Sequence, residues 1–215
     1  MARKKKLSMQ QQLLEKMKEQ NCLVDAYLRN REGVLVSRDK DSVPYTAQIW
    51  FEGRECDTRS ENDILKSIRT LAQIHKIMQL PVEMDYAGRN LQEEYIRHNQ
   101  EMKKIRRFIR KKGAVNSFEK DYLKSVEWFL QKGEEAAAML ETTDYKNLRQ
   151  QSLQSGSICH GEYNQHNVLI LGKNTAVTNF SHWSLMCRWQ ICTALCGKFW
   201  RNTVGICTSR RRCFL

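Results

Sequence analysis

The hydrophobic period of the chain changes once, near Ser60, and that change does most to limit the fold. Before it, apolar residues come in short runs. These are 23–28, 34–37 after the turn-like stretch 30–33, and 45–51 after the polar stretch 38–41. Connections this short favour an antiparallel meander. A helix of good formers, 9–20, precedes the runs, with Leu13, Leu14 and Met17 on one side. After Ser60 the period is helical. Ser60 can cap a helix with Asp63 three residues on, and Ile64, Ile68, Leu71 and His75 keep register until Pro81. A second helix is expected over 91–111, with Leu91, Tyr95, Met102, Ile105 and Ile109 on one face and Gly113 as its stop. A third is expected over 117–141, with Phe118, Tyr122, Val126, Phe129, Ala136 and Leu140 in register. A polar loop follows, then a loop at 158–167 and a hairpin: strand 168–171, a Gly/Asn turn at 172–174, strand 176–180. Strands first and helices after make an α+β protein.

Charge is distributed unevenly. The 215 residues carry a formal net charge of +12, yet all 24 acidic residues lie at or before Glu162. The 53 residues from Tyr163 onward hold seven Lys or Arg and no carboxylate, and five of the eight cysteines fall at or beyond Cys187. The excess of base is therefore mostly a property of the tail, which argues against a nucleic-acid-binding module. No run approaches the ~20 apolar residues of a membrane span, and the charged start lacks the apolar stretch of a signal peptide. A soluble cytoplasmic protein is expected. Cys192, Cys196, Cys207 and Cys213 lack the pairing and the histidines of a zinc site, and without an export signal a disulfide framework is not expected. The Arg and Lys residues of 103–112 lie off the apolar stripe, as a solvated face or, less favoured, an anion-binding surface.

The sharpest local signal is His160-Gly161-Glu162, then Asn167 five residues after Glu162, then a hairpin closing on Asn179 and Phe180. Magnesium needs oxygen ligands in near-octahedral geometry at ~2.0–2.1 Å, and a loop beside a hairpin sets two such ligands on one wall. The pattern resembles the catalytic segment of the kinase-like phosphotransferases. With YTAQIWFEGRECDTRS (45–60), CHGEYNQHNVL (159–169) and VTNFSHW (177–183), the span 9–183 resembles the CotS-like spore-coat proteins of the aminoglycoside/choline phosphotransferase superfamily. The resemblance implies a protein-kinase-like fold with a partial small lobe over 1–52 and a helical lobe over 53–183. It implies Mg²⁺ and ATP as cofactors and a small-molecule hydroxyl as acceptor. Glu162 would be the base, with His160 beside it. Asn167 and Asn179 would hold the metal, and Trp50, Phe51 and Glu52 would form the hinge toward the nucleotide.

The chain departs from the active pattern. Glu162 stands where the family has Asp, and the extra methylene displaces the carboxylate by about 1 Å, a shift that can cost about 10²-fold in rate. Asn179 stands where the family has Asp. The glycine-rich strands and phosphate-clamping lysine are expected before residue 9, so Glu15 would lack its lysine partner. Beyond Trp183 the resemblance stops. Back-translating from Leu185 and shifting by one base restores an acidic amphipathic helix, so 184–215 is expected to be a frameshifted, poorly ordered tail. Two functions follow: a degenerate, inactive phosphotransferase, or a non-catalytic structural protein with spore-coat partners.

Overall fold

A computed structural model of the chain describes residues 2–81 and 86–189. Helix α1 (Ala2–Glu19) starts earlier than its apolar side indicates, because Arg, Lys and Ala before it are all good helix formers. It buries Leu13, Leu14 and Met17. Its end is a left-handed cap at Asn21 (φ 59°), with Cys22 N–H bonded to Met17 O and Asn21 N–H to Lys18 O.

The first predicted strand is broken. Leu23–Val24 (β1) runs parallel to β9 (Asn174–Val177), whereas Tyr27–Leu28 (β2) pairs antiparallel with β5 (Ala47–Gln48). Between them Ala26 N–H turns back onto Val24 O, and Gln11 holds the bend through both the N–H and the carbonyl of Tyr27. The other two predicted strands shrink to β3 (Ser37–Arg38), paired with β4 (Pro44–Tyr45), and to β5. Strand β6 (Arg54–Glu55) then joins β8 (Val168–Leu171), giving the four-stranded order β1-β9-β8-β6.

Helix α2 (Glu61–Ile77) is capped by Ser60 Oγ, which accepts the Asp63 N–H. It ends before Pro81. The Met78 carbonyl is needed outside the helix, where it accepts the Ile158 N–H, and Gln79 bridges Ser157. Helices α3 (Leu91–Lys112) and α4 (Ser117–Thr142) follow, capped by Asn90 and Asn116, and form an antiparallel pair. Their cations face their neighbour's carboxylates: Lys103 to Glu134, Arg106 and Arg110 to Glu127, Lys112 to Glu119. Four of the seven cations in 103–112 are thus paired across the two helices on a solvated face. The predicted apolar stripes are covered only in part. Ile109 and Val126 are buried, whereas Tyr95, Ile105, Phe118 and Phe129 are exposed; Leu130, off the predicted stripe, is buried instead of Phe129. Periodicity marks a face as apolar without supplying the element that covers it.

Helix α5 (Tyr145–Gln154) occupies what the sequence offered as a polar loop; Tyr145 and Leu153 are its buried side. Strand β7 (Ile158–Cys159) pairs with β10 (Ser184–Leu185), and Leu185 and Cys187 are buried. The rest of the expected tail, from residue 190, lies outside the described residues. One core joins α1, β1, α2, β7, the hairpin β8–β9 and the segment 180–185, with Phe180 and Trp183 fully enclosed. Each such side chain contributes roughly 1.5–3 kcal/mol by burial.

Candidate functional site

The loop 160–167 is held by its own histidine. The His160 Nε2 lies 2.8 Å from Thr178 O and Nδ1 3.2 Å from the Glu162 N–H. A carbonyl can only accept, so Nε2 carries the proton and Nδ1 accepts, which fixes a neutral tautomer. Burial drives the His160 pKa down to about 4. Both ring nitrogens are therefore committed to shaping the loop. Gly161 takes φ +84° against the His182 backbone, and Tyr163 OH donates to Ser67 O at 2.7 Å, tying the loop to α2.

Glu162, Asn167 and Asn179 meet on one wall. The Asn167 Nδ2 donates to Glu162 O at 2.8 Å, and Asn167 itself is buried under the Thr178 N–H, which bonds its carbonyl. The Asn179 Nδ2 lies 3.5 Å from both Glu162 Oε2 and Asn167 Oδ1, while its Oδ1 accepts the Ser181 hydroxyl at 2.8 Å. Turning this amide over would set its oxygen against a carboxylate and a carbonyl oxygen, so the donor orientation is the consistent one. His182 Nε2 stands 3.7 Å from Glu162 Oε1. Trp50, Phe51 and Glu52 lie on the connection between β5 and β6, with Trp50 87% exposed. Among the described residues no hydrogen bond or ion pair joins them to this wall. The adjoining β6 does reach the loop, through Glu55 on His166 Nδ1 at 2.7 Å.

Sequence reading missed Asp25. It is buried, its Oδ2 accepts the Asn179 N–H at 2.7 Å, and its Oδ1 has no hydrogen-bond partner. Burial raises its pKa to about 6, against the opposing pull of the backbone N–H. The available signal was an acid set inside an apolar strand run, and the strand breaks there because Asp25 turns in to meet Asn179, itself left-handed at φ 64°.

The donor set does not fit Mg²⁺. Two of its three members are uncharged amides, and the Asn179 NH₂ group fills the space between the other two oxygens with a hydrogen-bond donor. Among the described residues no three His, Cys, Asp or Glu side chains converge as a metal group.

These elements make a mixed α+β fold that resembles that of a solved phosphotransferase. The likeness that carries this is to a crystal structure of an aminoglycoside phosphotransferase from Alicyclobacillus acidocaldarius subsp. acidocaldarius DSM 446. It superposes with a TM-score of 0.79 at 16% sequence identity, over 92% of this chain and 59% of that one. No family model and no curated protein matches the sequence. The chain thus spans less than two thirds of that neighbour's length. No helix among the described residues is long and apolar enough to cross a membrane.

Proposed function

We propose that the chain is a degenerate kinase-like phosphotransferase, related to the CotS-like group, whose catalytic wall no longer supports Mg²⁺-ATP-dependent transfer to a small-molecule hydroxyl. The observation that carries this reading is the Asn179 amide donating into the Glu162–Asn167 pair. An aspartate there would bring a negative charge for a cation to bridge; the amide instead turns its NH₂ group toward both oxygens, at 3.5 Å from each. Glu162, Asn167 and Asn179 then act as a hydrogen-bonded latch between loop and hairpin, with His160 as its internal brace. Titration calorimetry with Mg²⁺-ATP tests this. No heat of binding and no ATP consumption above the protein-free rate are expected. Millimolar or tighter binding that Asn167→Ala abolishes would overturn it.

A second reading, a structural protein docking in a spore coat, is favoured by the apolar side chains left uncovered on α3 and α4, among them Phe108, Phe118 and Trp128. Cytoplasmic or coat localisation belongs to the same proposal.

A further inference from the structure

A groove of about 740 Å³ opens where the end of α1, the start of β1, the outer face of α2 and the β8–β9 turn come together. It is remote from the wall described above. The wall sits at the open end of the hairpin, and the groove at its turn, one strand of four residues or about 13 Å away. No acidic residue lines it. Four cations do: Lys66, Arg69 and Lys76 from α2, and Lys173 from the turn.

The α2 cations form a single ridge. Positions 66, 69, 73 and 76 follow the three- and four-residue spacing that stacks side chains along one helical face, with Gln73 between the charges. This ridge lies opposite the face that buries Leu71 and His75. Like charges at such spacing repel, and on α3 the comparable cations are relieved by carboxylates of α4. On α2 the nearby carboxylate is Asp63, one turn before Lys66 and already paired with Arg54. Lys66 Nζ is held to Gly172 O at 2.8 Å, which fixes the ridge to the turn carrying Lys173. Arg69, Lys76 and Lys173 make no hydrogen bond or ion pair among the described residues. The volume suits a small organic ligand, and Leu23, Ile74 and Ile77 add apolar lining beside the cations.

We propose that this groove binds a compact multivalent phosphate anion, gripped by Lys66, Arg69, Lys76 and Lys173 around the β8–β9 turn. Three of the four cations are lysines. Their rotatable ammonium groups act as point charges that adapt to the spread of oxygens on a phosphate chain, and a chain of higher charge than a tricarboxylate engages more of them. The site does not depend on the reading of the Glu162 wall.

The test is calorimetry with inorganic tripolyphosphate and with citrate on the full chain. One-to-one binding of tripolyphosphate, tighter than citrate, is expected. The combined variant Arg69→Ala, Lys76→Ala, Lys173→Ala removes three exposed side chains and should weaken binding about tenfold or more, at about two- to fivefold per exposed charge. A control variant, Lys40→Ala, Lys120→Ala, Lys146→Ala, removes the same charge from exposed positions elsewhere and should leave the affinity unchanged. Absence of tripolyphosphate binding, equal loss in the two variants, or tighter binding of citrate would each overturn the proposal.

Discussion

Replacing Gly161 by alanine isolates what holds the candidate loop in place. Two costs are expected. The residue has φ +84°, and the left-handed region costs an L-residue roughly 1–2 kcal/mol, partly offset because alanine also restricts the unfolded chain. The second cost is steric: the new Cβ would fall inside van der Waals contact of the His182 carbonyl oxygen. That carbonyl cannot give way easily. It belongs to the 3₁₀ turn Phe180–His182, which is anchored on both sides by the fully buried Phe180 and Trp183 and closed by Trp183 N–H on Phe180 O. Forcing atoms into such packing costs about 1–3 kcal/mol. Gly113 separates the two effects, since it has φ +80° and open space where its Cβ would be. Gly113→Ala, at φ +80° and ψ 142°, should cost about 1–3 kcal/mol, and Gly161→Ala about 1–3 kcal/mol more. Urea unfolding at neutral pH, followed by tryptophan fluorescence, measures both. Costs within about 0.5 kcal/mol of each other would refute the close approach of loop and turn.

Acid should unfold the protein partly through His75, which is buried with Nε2 unpartnered and a pKa pressed down to about 4 by burial, with smaller contributions from Arg188 and His160. The folded state favours the neutral ring, so its contribution is complete above about pH 6.5 and is lost as pH falls toward 4; between pH 7 and 4 the wild type should lose about 3 kcal/mol more than His75→Gln, and parallel stability curves would exclude this. Tyr163→Phe deletes the hydroxyl that donates to Ser67 O and should cost about 1 kcal/mol in urea unfolding, with no dependence on pH between 5 and 8. A cost below about 0.3 kcal/mol would mean that the loop is not tied to α2 through this bond.

The helices were legible because their signals are local. Ser60 caps where the sequence places a cap, α3 and α4 start at the expected residues, and Gly113 ends α3 at φ +80°. The sheet was not legible to the same degree. The partner of Leu23 is Ala176, and no local pattern announces a parallel pairing between positions so far apart. The bend at Asp25 has the same cause, since its hydrogen-bond partner Asn179 comes from the other end of the chain. Helix α5 was overlooked because ten residues with only Tyr145 and Leu153 buried, and no side-chain cap at Asp144, give a weak period. The hairpin is the opposite case: alternating burial along Val168–Leu171 and a glycine at the turn leave little choice of register.

At the wall, the sequence supplied residue types and the structure supplied their balance of charge. Asp25 is buried against the Asn179 backbone, and the Glu162 carboxylate approaches the Asn179 side chain. A carboxylate at position 179 would put a third acid between these two. Such a cluster stays ionised only beside a cation, as the raised pKa of Asp25 already indicates for one acid in this surrounding. The amide removes that demand. It gives Glu162 and Asn167 a donor, takes one from Ser181, and leaves Asp25 to bond a neutral backbone N–H. On the proposed reading, an amide in place of a carboxylate at position 179 would let the arrangement hold without a bound ion and would remove the charge that draws one in.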